Sequence, residues 1–215
     1  MPFSVDAFFE VFARYNQAIW PLQVAAYAGG LIVAALLLRP SRPAAIMIGG
    51  ILAAMWAVNG IGYHWSHFAA INPAARLFAG LFVAEAALLA GAPLALSDLR
   101  FSARRDVRTG FALALIVFAA IVYPLWGMAA GHVYPAMPAF GVAPCPTTIF
   151  TIGVLLMGEG RRAAWLLAIP AMWALIGGSA AVLLDVPQDF GLLAALFILL
   201  ALAAGRWFRR KPGGI

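Results

Sequence analysis

Long apolar runs make up most of the chain, and short polar turns separate them. The runs are about 20 residues long, which is the length that an α-helix needs to cross ~30 Å of hydrocarbon. Strands of a transmembrane barrel would be about half as long and would alternate apolar and polar residues. The pattern predicts an all-α membrane protein, a seven-transmembrane helix bundle with segments at Ile19–Leu38, Pro43–Tyr63, Ala74–Leu96, Thr109–Ala130, Thr147–Gly158, Ala163–Leu184 and Phe190–Phe208.

The fifth of these segments is too short to cross a bilayer by itself, because about a dozen helical residues rise only ~18 Å. The preceding stretch, GHVYPAMPAFGVAPCP at residues 131–146, must therefore occupy the remaining depth. Its prolines remove N–H donors and disfavour helix at the residues before them. We expect an ordered loop that turns into a helix near Pro146. Residues Phe140 to Thr148 should pack against the outer ends of the second and third segments, with Cys145 largely buried.

The first 18 residues have a different pattern, in which apolar side chains recur at helical spacing opposite Asp6, Glu10 and Arg14. This pattern predicts an amphipathic helix that lies in the membrane interface. The chain is accordingly divided into an interfacial helix at 1–18, a seven-span domain at 19–208 and a basic cytoplasmic tail at 209–215. The apolar face of the first helix comprises Val5, Phe8, Phe9, Phe12 and Tyr15.

Composition and charge agree with a membrane protein. Hydrophobic residues make up 65% of the 215 residues and charged residues only 10%, against roughly 25% charged in soluble domains. All of the 14 Lys and Arg residues except Arg14 and Arg76 fall on one side of the predicted segments. The positive-inside rule then places the N-terminus outside and the C-terminus in the cytoplasm. The net charge of +6 follows from this topology, so we expect the lipid bilayer and not nucleic acid as a partner.

Three histidines and the only cysteine fall on the predicted outer side. His64 and His67 are three residues apart, which places both rings on one helix face, and His132 and Cys145 belong to the outer loop before the fifth segment. Neutral imidazole and thiolate are metal ligands, so zinc, copper or iron is a possible cofactor. The alternative is that the histidines are interfacial hydrogen-bonding residues and the cysteine a small packing residue.

One acidic residue, Glu85, lies near the middle of the third segment among apolar neighbours. A carboxylate at that depth costs a few kcal/mol, so it must face the bundle interior, find a partner or stay protonated. We interpret it either as a transport residue or as a neutral group that hydrogen-bonds a neighbouring helix. Other polar side chains that are candidates to line an interior path are Asn59, Asn72, Thr147, Thr148 and Thr151.

The segments GHVYPAMPAFGVAPCPTTIFTIG and YHWSHFAAINPAA together resemble an uncharacterised family of bacterial multi-pass membrane proteins. That family carries a stretch close to GHxYPxxPxFGxAPCPTTIFTxG. The resemblance spans most of the chain and implies a location in the bacterial inner membrane. It implies no activity and therefore no catalytic residues.

Two functional hypotheses remain open. In the first, an outer vestibule built from His64, His67, His132 and the proline-rich loop leads to Glu85 and passes a small solute, a proton or a soft metal ion. In the second, the three histidines hold a metal that activates water, and the protein hydrolyses a lipid or another apolar substrate with Asp185 or Glu85 as acid/base. The sequence indicates neither the substrate nor the oligomeric state.

Overall fold

The computed structural model describes residues 3–160, 163–184 and 186–210, which form helices joined by short turns and a two-stranded ribbon. Two stretches, Val58–Trp65 and Phe118–Val122, are π-helical, and Phe68–Ala70, Ala163–Leu167 and Pro187–Asp189 are 3₁₀ turns. The remaining elements are α1 (Val5–Ala18), α2 (Leu22–Leu37), α3 (Arg42–Ala57), α4 (Ala75–Ala95), β1 (Arg100–Phe101), α5 (Val107–Val117), α6 (Tyr123–Ala129), α7 (Pro144–Leu156), β2 (Gly158–Glu159), α8 (Ala168–Leu184) and α9 (Phe190–Arg210).

The amphipathic N-terminal helix packs its apolar face against the protein. Ser4 begins α1 because its hydroxyl accepts the Ala7 amide at 3.2 Å. The ring of Phe12 then stacks on that of Tyr63 with centroids 4.7 Å apart. A bend of 83° separates α1 from α2, so the two helices run in different directions. The end of α1 at Ala18 coincides with the predicted domain boundary.

Helices α3 and α4 form an antiparallel pair that two glycines hold close. A Cβ atom on Gly49 would lie 2.4 Å from the carbonyl oxygen of Leu89, and one on Gly60 would lie 3.1 Å from that of Ala79. Small residues at such contacts allow the backbones of membrane helices to approach closely. The π-helical stretch Val58–Trp65 extends α3, so the pair remains in contact over most of the length of α4.

Helix α7 lies at the centre of the fold. All of its side chains from Pro146 to Leu156 are buried, and the helix packs against α3, α5, α8 and α9. Strand β2 follows α7 directly and pairs antiparallel with β1, with Arg100 opposite Glu159. A helix that is apolar all round is expected to be enclosed by its neighbours, and α7 has this arrangement.

Helices occupy all seven segments predicted from the sequence. By length and composition, four helical stretches within the described residues are able to cross a membrane: Arg42–Ala70, Ala75–Ala95, Val107–Ala129 and Pro187–Ala204. The bent pair of α1 and α2 makes up to five if it counts as one span, whereas α7 and the stretch Ala163–Ser179 are shorter apolar helices. The chain is therefore mostly helical, with four to five candidate spans.

The proline-rich loop turns into helix α7 at Pro144, two residues before Pro146. Both prolines fit the first helical turn, where the missing N–H has no partner to lose. The loop contacts the second predicted segment, where the side-chain amide of Asn59 lies 3.4 Å from the carbonyl oxygen of Gly141. It also packs on the first predicted segment, where the Phe140 and Tyr27 rings are 4.9 Å apart. Cys145 is only partly buried.

Candidate functional site

Glu85 lies on the buried face of α4, between Phe82 and Leu89. Its relative exposure is 0%, and neither carboxyl oxygen has a hydrogen-bond partner among the described residues. A polar group that is buried without a hydrogen bond costs several kcal/mol, and an ionised one costs more. Glu85 therefore makes no hydrogen bond to a neighbouring helix within the described residues, and both of its carboxyl oxygens are unsatisfied there.

The register of α3 against α4 places Glu85 at the level of Trp56. Gly60 abuts the turn at Ala79 and Phe82, and Gly49 abuts Leu89, so the residues between these two contacts face the turn that carries Glu85. The indole N–H of Trp56 is already committed, because it donates to the hydroxyl of Thr151 on α7 at 2.9 Å. Glu85 thus lies at the same depth as the hydrogen-bonded pair of Trp56 and Thr151 but does not bond to either residue.

A second polar group is built around Asn59 in the π-helical stretch. Its side-chain amide donates to the carbonyl oxygen of Met55 at 2.8 Å and to the hydroxyl of Thr147 at 3.2 Å. Thr148 bonds within its own helix, because its hydroxyl donates to the carbonyl oxygen of Pro144 at 2.8 Å. The contact between Asn59 and Thr147 ties the start of α7 to the π-helical stretch that extends α3. Asn59 therefore positions a helix, and only its carbonyl oxygen has no partner among the described residues.

His64 is enclosed by aromatic rings. It has 0% relative exposure, and its ring centroid lies 4.7 Å from that of Phe82 on α4 and 5.0 Å from that of Trp173 on α8. Neither of its ring nitrogens has a hydrogen-bond partner in the described part of the chain. The neutral imidazole fits such an environment, because an apolar enclosure disfavours the charged form.

The other two histidines have different neighbours. The Nδ1 atom of His67 lies 2.7 Å from the carbonyl oxygen of Gly62, and the ring of His132 stacks on Phe9 of α1 at 4.2 Å. Among the described residues, no three His, Cys, Asp or Glu side chains come together in a way that could hold a metal ion. The metal site predicted from His64, His67, His132 and Cys145 is therefore not formed by those residues. Each histidine instead has its own local contacts.

Asn72, which was a candidate to line an interior path, does not lie in the interior. It lies in the partly exposed turn before α4, and its side-chain oxygen accepts the amide of Ala74 at 3.2 Å. This contact caps the turn, which is the usual use of an asparagine before a helix. Asp185, the alternative acid/base candidate, lies outside the described residues.

Asp189 is a second buried acid and lies in the turn before α9. It was not among the site residues predicted from the sequence. Its relative exposure is 4%. One carboxyl oxygen accepts a hydrogen bond from the hydroxyl of Tyr123 on α6, and the carboxyl group is also in contact with the thiol of Cys145 at the start of α7. The side-chain amide nitrogen of the adjacent Gln188 lies 3.4 Å from the Nδ1 atom of His132. Asp189 therefore joins three helix ends and the proline-rich loop.

The sequence carried only a weak signal for this cluster. Asp189 precedes an apolar run in the same way as Asp185, so spacing alone did not distinguish the two acids. Its partners come from segments that are 44 and 66 residues away: Cys145 and Tyr123. Only tertiary packing brings such groups together.

The geometry of the two acids supports different chemistry. Asp189 is held by donors and is suited to fix a structure, whereas Glu85 is free of any partner among the described residues and is suited to gain and lose a proton or to bind a polar guest. A model of one family, described as a family of unknown function (DUF6064), matches residues 5–212, so the chain belongs to that family. No curated protein and no solved structure matches the chain.

Proposed function

We propose that this member of the DUF6064 family is a seven-span protein of the bacterial inner membrane that transports or binds a small solute or ion, with Glu85 as its proton-binding group. The N-terminus lies outside and the C-terminus in the cytoplasm, as the distribution of Lys and Arg indicates. One observation carries the proposal: Glu85 is fully buried in a helix long enough to span a membrane, and no described residue bonds either carboxyl oxygen.

An unpaired carboxyl group inside a spanning helix is costly and needs a reason to persist. It stays neutral while it holds its proton, and it becomes charged only when that proton passes to an entering water or solute and a cation or another polar guest stabilises the carboxylate. Binding of a polar guest and release of a proton are then linked, because each changes the free energy of the other. This linkage is the simplest mechanism by which Glu85 would couple a proton to a second species.

The outer access route in this proposal starts at the proline-rich loop. His132 is half-buried and neighbours Gln188, and the loop ends at Cys145. Irregular backbone at membrane depth is tolerated where protein covers it or where it lines a cavity. In this proposal the vestibule between the outer face and α4 is bounded by the loop and α7.

The test is proton movement in liposomes that contain the purified protein and an internal pH-sensitive dye. A pH gradient is imposed, and candidate cations and small solutes are added in turn. We expect wild-type protein to couple at least one addition to a change in internal pH, and we expect Glu85→Gln to abolish that change because the amide cannot release a proton. Glu10→Gln is the matched control, because Glu10 is exposed and pairs with Arg14 on its own helix.

A spectroscopic measurement tests the same residue without a known cargo. Infrared difference spectra between acidic and basic pH should contain a carbonyl stretching band of a protonated carboxyl group in an apolar environment. Glu85→Gln should remove that band, and Glu10→Gln should leave it. If Glu85→Gln leaves both the band and the proton movement as in wild type, Glu85 takes no part in the mechanism.

The topology has its own test. Reporter fusions or impermeant labels at the C-terminal residues should report the cytoplasmic side of the membrane. A C-terminus outside the cell would reverse the assignment of the loop at 131–146 to the outer face. The metal-dependent hydrolase remains a hypothesis that no contact of the described residues favours.

A further inference from the structure

Three exposed arginines lie at the opposite end of the fold from the proline-rich loop. Arg39 and Arg42 belong to the turn between α2 and α3, and Arg105 belongs to the segment between β1 and α5. The two stretches meet, because the amide of Ala103 donates to the carbonyl oxygen of Leu37 at 3.2 Å. The three side chains are termed the arginine surface.

None of the three guanidinium groups forms a hydrogen bond or an ion pair with another described residue. Their neighbours along the chain differ in this respect. Arg104 pairs with Glu159 at 2.6 Å, and the Nη2 atom of Arg108 donates to the carbonyl oxygen of Gly158. The arginine surface therefore carries three positive charges that no described carboxylate neutralises by contact.

The acidic residues at this end of the fold are grouped elsewhere. Asp98, Asp106 and Glu159 line a cleft beside the end of α7, and none of the three arginines lines it. Residues 161–162 and 211–215, which are not described, include no acidic residue. No carboxylate side chain from those two segments is therefore available to neutralise the arginine surface.

All three arginines lie at the ends of apolar helices. Arg42 is the first residue of the candidate span Arg42–Ala70, and Arg105 lies two residues before the candidate span Val107–Ala129. Arg39 lies two residues after the end of α2. Arginine side chains near the ends of spanning helices extend to the lipid headgroups. Helix α3 also begins at this level, and its dipole places a partial positive charge there.

We propose that the arginine surface binds the headgroup of an anionic phospholipid. A guanidinium group stays charged and donates paired hydrogen bonds to phosphate oxygens. A lipid fits this position better than a free phosphate, because its acyl chains contact the apolar helices while its headgroup lies at the level of the arginines. A zwitterionic headgroup would neutralise less of the positive charge. The proposal depends neither on a role of Glu85 nor on the direction in which the chain crosses the membrane.

Charge-removing variants and a matched control separate this surface from the general effect of basic residues. Arg39→Gln, Arg42→Gln and Arg105→Gln, made singly and together, change only exposed side chains. Arg76→Gln is the control, because Arg76 is also exposed and also lies at the start of a candidate span, Ala75–Ala95. It belongs to the opposite end of the antiparallel pair α3 and α4. A triple variant with lysine at the three positions keeps the charge.

The measurement is native mass spectrometry of the full chain released from detergent micelles, with phosphatidylglycerol and phosphatidylethanolamine added in equal amounts. We expect wild type and Arg76→Gln to retain phosphatidylglycerol in preference. Each single glutamine variant should lower that preference by about two- to fivefold, the order expected for one arginine near an anionic lipid surface. The triple glutamine variant should lose the preference, and the triple lysine variant should keep most of it. Circular dichroism in the same micelles checks that all variants have the helix content of wild type.

Several outcomes would overturn the proposal. One is equal retention of both lipids by wild type, and another is an undiminished preference in the triple glutamine variant. A loss in Arg76→Gln as large as that in the single variants would show that any exposed arginine has this effect. A triple lysine variant that behaves like the triple glutamine variant would show that charge is not what the surface recognises. In a further arm inorganic phosphate is added, and displacement of phosphatidylglycerol at equal concentration would identify a site for a free anion instead of a lipid.

Discussion

Glu85 and Asp189 are two buried carboxyl groups in one helical protein, and their surroundings are opposite. Asp189 accepts a hydrogen bond from Tyr123 and touches Cys145, whereas Glu85 has no partner among the described residues. Buried acids that are held by donors stabilise a fold, and buried acids without donors weaken it. The difference indicates that Asp189 contributes to the architecture, whereas Glu85 is buried at a cost in stability.

The largest effect is expected from Asp189→Ala. The substitution leaves the buried hydroxyl of Tyr123 without its acceptor and opens a small cavity where α6, α7 and α9 meet. We expect a loss of about 2–4 kcal/mol in the free energy of unfolding. Titration of the micelle-bound protein with a denaturing detergent measures that loss.

Asp189→Asn is the control that isolates the charge. Its side-chain oxygen still accepts from Tyr123, so we expect it to lose less than half as much stability as Asp189→Ala. If both variants lose equal stability, the negative charge and not the acceptor oxygen holds the three helix ends together. If neither loses stability, the contrast with Glu85 fails.

A smaller effect is expected when Glu85 is replaced. Glu85→Gln removes no hydrogen bond made by a described residue, and Glu85→Leu exchanges an unpaired acid for an apolar side chain. We expect Glu85→Gln to stay within about 1 kcal/mol of wild type and Glu85→Leu to be neutral or more stable. The same detergent titration measures both. A loss of stability in Glu85→Leu as large as that in Asp189→Ala would show that Glu85 has a structural partner.

The fold was largely predictable because hydrophobic run length is a strong signal in membrane sequences. Each predicted segment coincides with helix, and α4 at Ala75–Ala95 differs by one residue at each end from the prediction Ala74–Leu96. The π-helical stretches at Val58–Trp65 and Phe118–Val122 were not predicted, because they arise from packing and leave no mark in the period of apolar residues. The ribbon of β1 and β2 was missed because strands of two residues have no sequence pattern.

The candidate site could be predicted from the sequence only where a single residue differed clearly from its neighbours in the chain. Glu85 was identified because an acid in the middle of an apolar run is conspicuous, and its burial follows from the same pattern. The three histidines were grouped by the side of the membrane on which they fall, but sharing a side does not bring side chains together. His64 packs among rings of α4 and α8, and His132 packs on α1.

Two threonines of α7, both fully buried, differ in the hydrogen bonds that they make. Thr151→Val removes the acceptor of the Trp56 indole N–H at the depth of Glu85. Thr148→Val removes only a bond to a carbonyl of its own helix. We expect a loss of about 1–2 kcal/mol for Thr151→Val and about 0.5 kcal/mol or less for Thr148→Val, measured by the same titration. Equal losses would show that Trp56 finds another acceptor, for which Glu85 is the nearest candidate by depth.

The smallest effect concerns a third carboxyl group, Asp106, which lies in the solvent-exposed turn before α5. Its side chain accepts the Thr109 amide at 2.7 Å and so caps the helix. This hydrogen bond, together with nearby Arg108 and Arg104, lowers the pKa of Asp106 below its ordinary value. A carboxyl group with a lowered folded-state pKa stabilises the fold fully above the unfolded-state pKa of ~3.9. That contribution is lost as the pH falls below this value and through the lower folded-state pKa.

Asp106→Asn keeps the capping oxygen and removes the titration, so it is the matched control for this prediction. We expect the melting temperature of wild type to fall slightly more than that of Asp106→Asn as the pH is lowered from about 5 to about 3. The two proteins should respond alike at higher pH, where Asp106 is charged throughout. A parallel fall of both curves at low pH would mean that the cap contributes through geometry alone. Asp106 differs from Asp189 and Glu85 because water and a backbone amide satisfy its charge. Protonation of Asp106 therefore changes the free energy of unfolding only slightly.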